Sequence, residues 1–263
     1  MALIQRRERD AHWYHRNGDA CHTVIAKTTG LPRQTMLTDA RKLNLVPSVT
    51  NILNMKAKPA LNVWLQDNAI LSALSTPQKP GESEADWHSR IAEESERIGK
   101  EAAEWGTLIH EQIEQFATGG AFMGTGEILE YVAGYEKWHR ENIEQVISAE
   151  QSVVGAIGYA GRLDLHAMLR QEGGARRAII DAKSQKLKGK PKANFYIEWS
   201  MQLAAYADCL REPGEPMPLL VSVIIPSDVP GPVQVKVWDN GEAALEAFKA
   251  CYKLWCFDKG YAP

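Results

Sequence analysis

Long apolar runs are missing from this chain of 263 residues. No stretch approaches the ~20 residues that a helix needs to cross a bilayer, so a membrane-spanning helix is not expected. The opening segment, MALIQRRERD, has no apolar core behind its arginines, so no secretory leader is expected either. An intracellular location follows as an expectation. Cysteine is scarce: Cys21, Cys209, Cys251 and Cys256 are the whole supply. They are expected to be buried, unrelated thiols. An excess of basic charge is missing too, because the formal net charge is −3. Any nucleic-acid footprint must then be a local patch rather than the whole surface. Internal repeats and low-complexity tails are absent. What is present is ordinary for a globular protein, 44% hydrophobic and 24% charged residues. The chain is long enough to bury a sizeable core, as one large α/β domain or as a core with an added helical region.

Residues 1 to about 45 read as polar and mixed, punctuated by Gly18, Gly30 and Pro32. A helical stretch opens near Pro47, with Ser48 or Thr50 as candidate caps. Pro59 interrupts it, and a second helix carries Leu61, Trp64, Leu65 and Ile70. Residues 75–85 read as a loop. A long helix is predicted from about Trp87 to Phe116, ended by Thr118-Gly119-Gly120, and another over about 126–145. The pattern then changes to strands at 146–157, 159–169 and 176–184, a helix at about 195–211, and an apolar strand from Leu219 to Ile225. Val233, Val235 and Val237 alternate with Gln234 and Lys236, as in a half-exposed strand. A last helix runs from about Gly241 to Phe257.

The most informative stretch is Gly161-Arg162-Leu163-Asp164 followed by Ile179-Ile180-Asp181-Ala182-Lys183. Side chains alternate faces along a strand, so Asp181 and Lys183 point the same way. Arg162, Asp164 and His166 likewise share a face. Two acids and an amine can therefore converge on one side of a sheet. Acids at this spacing suit a hard divalent cation, and an ammonium beside them can orient or activate a water. Aspartate is disfavoured within strands, so two embedded in apolar strands call for a reason, and a cation supplies one. Upstream lies Gly106-Thr107-Leu108-Ile109-His110; downstream, Gln202 and Tyr206 share a helical face.

The order G-x-x-x-H, G-x-x-D, D-x-K, Q-x-x-x-Y over residues 106–206 resembles the RecB-like branch of the PD-(D/E)XK nucleases. That branch includes phage recombination exonucleases and mitochondrial genome-maintenance exonucleases. The resemblance implies an α/β fold with a restriction-endonuclease-like core, a mixed central sheet flanked by helices, over residues 86–263. Residues 1–85 would form an added N-terminal helical or cap region. It implies a divalent-metal-dependent DNA exonuclease of recombination, repair or replication, using Mg²⁺ or Mn²⁺. Asp164, Asp181, the carbonyl of Ala182 and His110 would hold the metal. Lys183 would orient the attacking water or stabilise charge on the phosphate, and Glu150 would help bind metal or hold Lys183. Gln202 and Tyr206 would touch the nucleic-acid strand or support the lysine. DNA, as single strands or duplex ends, is the implied partner; a single-strand annealing protein and assembly into homo-oligomers belong to the same expectation. Some members carry an iron–sulfur cluster on one early and three late cysteines, but the late spacing here is too loose for that.

Five lysines between Lys183 and Lys192 follow the catalytic strand; Lys186 and Lys188 among them, with Arg162, are candidate phosphate contacts. The eight tryptophans suggest base stacking, but several, such as Trp105 and Trp199, fall on apolar helical faces and are expected in the core. Two other readings stay open: a nucleic-acid-binding protein of this fold without catalysis, and a structure-specific endonuclease.

Overall fold

The structure is a computed structural model that describes residues 12–120, 124 and 126–263, without the side chains of residues 101 and 102. The leader expectation rests largely on residues 1–10, outside that range. The chain opens with β1 (Trp13–Tyr14), β2 (Thr23–Ile25), β3 (Pro32–Gln34), α1 (Leu37–Leu43) and β4 (Val46–Pro47). Helices α2 (Val49–Leu53), α3 (Pro59–Ser75), α4 (Glu84–Ala117) and α5 (Gly126–Asn142) follow. Then come β5 (Ile143–Gly155), β6 (Tyr159–Leu169), β7 (Arg176–Gln185), α6 (Ile197–Leu210), β8 (Leu219–Pro226), β9 (Gln234–Trp238) and α7 (Gly241–Lys259).

Local chemistry accounts for the helix limits. The Ser48 hydroxyl accepts the Asn51 N–H at the start of α2, and Ser83 accepts that of Asp86 at the start of α4. Pro59 stands in the first turn of α3, where its missing N–H costs nothing, so it begins that helix. Gly119, in the left-handed region at φ 87°, turns the chain out of α4.

The sheet runs β5-β6-β7-β8-β9. Pairing is antiparallel except between β7 and β8, which run parallel across the α6 connection. The protein is therefore a mixed α/β fold with a five-stranded mixed sheet. Alternation along the strands splits the core in two. Ile180, Ala182, Val221 and Val223 pack with Ile109, Ile113, Val132 and Tyr135 of α4 and α5. Ile179, Leu220 and Leu163 pack with Leu203, Phe248 and Trp255 of α6 and α7.

Three features depart from the sequence pattern. Residues 12–45 are not merely polar and turn-like: Trp13 and Leu45 are fully buried in the α6–α7 core. Strands of two or three residues carry no period from which they could be read. In β9 the valine face is the exposed one; Lys236 lies 3.9 Å from the Trp238 ring centroid and Gln234 accepts the Ala193 N–H. An inward charge on an edge strand discourages edge-to-edge pairing. Helix α3 buries Asn68 and Ser72, while Leu61, Leu65 and Ile70 face outward.

Candidate active site

The β6–β7 ladder pairs Leu169 with Arg176 and ends at Leu165 with Ile180. Both strands continue beyond that point, so they part, and Asp164 and Asp181 stand at the first step of the fork. Asp164 Oδ2 crosses it and accepts the Ala182 N–H at 2.8 Å. Lys183 Nζ lies 2.6 Å from Asp181 Oδ1. The other carboxylate oxygen, Asp181 Oδ2, is buried with no hydrogen-bond partner among the described residues. Leaving a buried acceptor unsatisfied costs about 1–3 kcal/mol, more for a charged group.

Burial pushes the Asp164 carboxyl up, and pushes Asp181 up to about 6 despite the lysine beside it. For Lys183, burial works against the charge, but Asp181 and Asp164 outweigh it and hold the ammonium above its ordinary range. Lys183 is thus a fixed cation and not a proton acceptor near neutrality. Two acids side by side, Asp181 buried and Asp164 half-buried, with one orphaned oxygen are the donor set a hard cation seeks, so the residues present fit Mg²⁺ or Mn²⁺. Among the described residues, no three His, Cys, Asp or Glu side chains form a ready group for a metal ion. Asp181 is turned instead to Lys183 and Asp164 to the Ala182 N–H, while Arg162 pairs with Glu150.

The two motif glycines have steric reasons. A Cβ on Gly106 would lie 2.9 Å from Ser184 Oγ, so glycine lets α4 press on the end of β7. This carries His110 to the fork, where burial and then Lys183 lower its pKa against the opposing pull of Asp181. The imidazole is therefore neutral at pH 7 and able to act as a ligand. A Cβ on Gly161 would lie 2.5 Å from the Tyr206 ring. Tyr206 is buried there, its hydroxyl accepting from Gln202 Nε2 at 3.0 Å. Burial drives its phenol pKa upward, partly opposed by Gln202, and the nearby Asp181 and Asp164 add to the rise.

Glu150 stands between the register pairs Ala149–Leu165 and Gln151–Leu163, hence opposite Asp164. Its φ of 49° is left-handed, a conformation that costs a non-glycine residue about 1–3 kcal/mol and collects at functional sites. Burial, then repulsion from Asp164, raises its carboxyl to about 7. Arg162 spans Glu150 at 2.6 Å and Glu114 at 3.0 Å, so its guanidinium is engaged by carboxylates. A cleft of about 510 Å³ on the α4 side is lined by His110, Glu114, Glu150 and Ser184.

Lys186 and Lys188 are exposed on the loop after β7. Asp228 accepts the Leu187 and Lys188 N–H groups at 2.9 and 2.7 Å and pins that loop. Neither Asp228 nor Glu114 is among the residues singled out in the sequence. Glu114 stands one turn after His110 on the same helix face, a spacing that was visible. Asp228 lies in a connecting segment and had no local signal. Trp105 is half-buried and donates to the Ser227 carbonyl. Trp199 packs on the core yet also lines an open cleft, so the core role expected of it is only part of its place. The four thiols are free and half-buried rather than fully buried, with Cys209 donating to the Ala205 carbonyl. No helix of the described residues is long and apolar enough to cross a membrane.

No protein-family model matches this chain, and no curated protein matches it.

Proposed function

We propose that this chain is a divalent-metal-dependent deoxyribonuclease of the PD-(D/E)XK type, in its RecB-like branch, hydrolysing phosphodiester bonds from DNA ends in recombination, repair or replication. The observation that carries the proposal is the fork: the buried Asp181 beside the half-buried Asp164, one oxygen of Asp181 with no partner among the described residues, and a lysine 2.6 Å away. The five-stranded mixed sheet between helical layers supports a restriction-endonuclease-like core for the same reading.

Asp164, Asp181, His110 and the Ala182 carbonyl would hold Mg²⁺ or Mn²⁺, which when bound supplies positive charge to the phosphoryl oxygens and lowers the pKa of a water. Lys183, kept protonated, places a point charge where negative charge grows on the scissile phosphate. Neutral His110 leaves a ring nitrogen free to ligate. Glu150, near neutrality in its titration, can take or give a proton, and it holds Arg162 in place. Tyr206, buried with its ring against Gly161, would support the strand that carries Asp164.

End-labelled linear and circular DNA, single- and double-stranded, would be incubated with magnesium, manganese or chelator. Asp181→Ala and Lys183→Ala proteins would run alongside. Metal-dependent loss of linear DNA, spared circles and two inactive variants are expected. Cleavage in chelator, or equal cleavage by Asp181→Ala, would sink the proposal. A second reading, a nucleic-acid-binding protein without catalysis, is favoured by the carboxylates being held by Lys183 and Arg162 rather than grouped for a metal. DNA binding without cleavage under any metal would select it.

A further inference from the structure

A second cleft, of about 770 Å³, opens on the other side of β7, between the α2–α3 junction and the start of α6. Lys183 and Gln202 reach it from within. Trp64, Tyr196 and Trp199 wall it, and Lys56 and Lys58 stand at its side.

These aromatic groups are half-buried rather than sealed in the core, so part of each ring faces the opening. They are also held in place. Trp199 meets Tyr196 edge to face at 5.1 Å and 83°, and Phe195 at 6.2 Å and 78°. The Trp64 indole is braced on α4, where a Cβ at Gly99 would come within 3.8 Å of it. Rigid rings with open faces are platforms for flat partners. The cations add the second half of the pattern. Lys58 donates to Asn54 Oδ1 at 2.6 Å, and Lys56 shares Glu198 at 3.4 Å, the one carboxylate lining the cleft. Lys183 is already paired with Asp181, so Lys56 and Lys58 are the ammonium groups set against Glu198, a small positive excess that favours an anionic chain.

Flat rings, interleaved cations and a mouth on the lysine of the fork match the chemistry of a polynucleotide. The strandedness follows from the rings. Bases in a duplex are paired and stacked on one another and offer no free face, whereas unpaired bases stack on aromatic platforms without regard to sequence. The volume lies within the range of about 300–1,000 Å³ typical of ligand clefts. We propose that this cleft binds a single polynucleotide strand, stacking unpaired bases on Trp199, Tyr196 and Trp64 and passing their phosphates along Lys56 and Lys58 to Lys183. The inference rests on the nuclease reading only for what happens once the strand reaches Lys183.

The test is fluorescence anisotropy in chelator, with labelled oligo(dT), oligo(U) and a blunt duplex of equal length. The intact protein would be compared with Tyr196→Ala, Trp64→Ala and Lys58→Gln, each first shown to melt like the parent. Lys58→Gln removes charge with little packing and keeps the test alive if an aromatic variant does not fold. Single strands are expected to bind at least about ten-fold more tightly than the duplex, and each aromatic removal to weaken them about ten-fold. Duplex binding should be unmoved by the same changes. Binding of oligo(dT), oligo(U) or both with this dependence supports the cleft and tells which sugar it accepts. Equal affinity for strand and duplex, or folded cleft variants that bind strands like the parent, overturns it. Strand binding that needs the cleft, in a protein that cleaves nothing, would overturn the nuclease reading and leave the cleft standing. Metal-dependent cleavage by cleft variants whose strand binding is unchanged would do the reverse.

Discussion

Ser184 and Lys183 are neighbours on β7, yet they line different clefts. On the α4 side the lining concentrates acids and a histidine: Glu111, Glu114, Glu150 and His110. On the α6 side it is aromatic and basic. Between the two, at the fork, sit the carboxylates Asp164 and Asp181. Strand alternation thus divides labour over a single residue step. One side gathers carboxylates by close backbone approach at Gly106; the other holds ring faces and ammonium groups apart for something larger. Under the proposed function a strand would approach β7 from the second side, where Lys56 and Lys58 stand.

The largest expected effect tests whether the fork belongs to chemistry or to folding. Asp164→Asn keeps an oxygen for the Ala182 N–H and removes a half-buried negative charge from beside the buried Asp181. Cleavage is expected to fall about a thousand-fold or more, as for loss of a central electrostatic contact. The melting temperature of the metal-free protein should hold or rise, because a buried charge without full compensation is costly. A clear drop in melting temperature would make the carboxylate a structural partner and remove the contrast between fork and core.

Close approach on the acidic side can be set against close packing under the fork. Gly161→Ala forces a methyl onto the Tyr206 ring and should cost about 2–3 kcal/mol by urea denaturation, the upper range for overpacking. Gly106→Ala meets only the Ser184 hydroxyl and should cost about 1 kcal/mol, recovered when Ser184→Ala is added. No recovery in the double variant would mean that α4 is spaced by something other than this contact.

Charge on the acidic side has a pH signature. Glu150 titrates at about 7 in the fold, above its ordinary 4.5. The folded state then binds more protons than the unfolded state between those values, so this group's contribution to stability falls as pH rises from about 4.5 to 7. Glu150→Gln should flatten that part of the curve of melting temperature against pH. An unchanged curve would place the titration elsewhere. The smallest effect concerns the exposed loop. Lys186→Ala and Lys188→Ala should each weaken DNA binding a few-fold and reduce the salt slope by about one. An unaltered slope would leave phosphate contact to the cleft lysines.

Much of the architecture was legible because it rests on local pattern. The end of α4 follows from Gly119 and the half-buried strands from alternation, whereas its start, capped by Ser83, lies in a segment that reads as a loop. The convergence of Asp181 and Lys183 needed only a period of two, and they do meet. Arg162 shows the limit of that logic. Read as a free phosphate contact, it is held by Glu114 from α4 and Glu150 from β5, partners that no spacing around residue 162 announces. The aromatic cleft was likewise invisible, since Trp64 and Trp199 come from helices far apart in the chain.

Residue order therefore set the elements, their caps and the faces on which the acids and the lysine stand, because each depends on neighbours a few positions away. Long-range packing set the rest. The β6–β7 ladder stops at Leu165 and Ile180, which opens the fork and buries Asp181 Oδ2 with no partner among the described residues. The same packing brings α3 opposite α6, turning scattered tryptophans and lysines into a lined cleft. Such features arise where segments distant in sequence compete for the same space, and that competition is resolved only when the whole core closes.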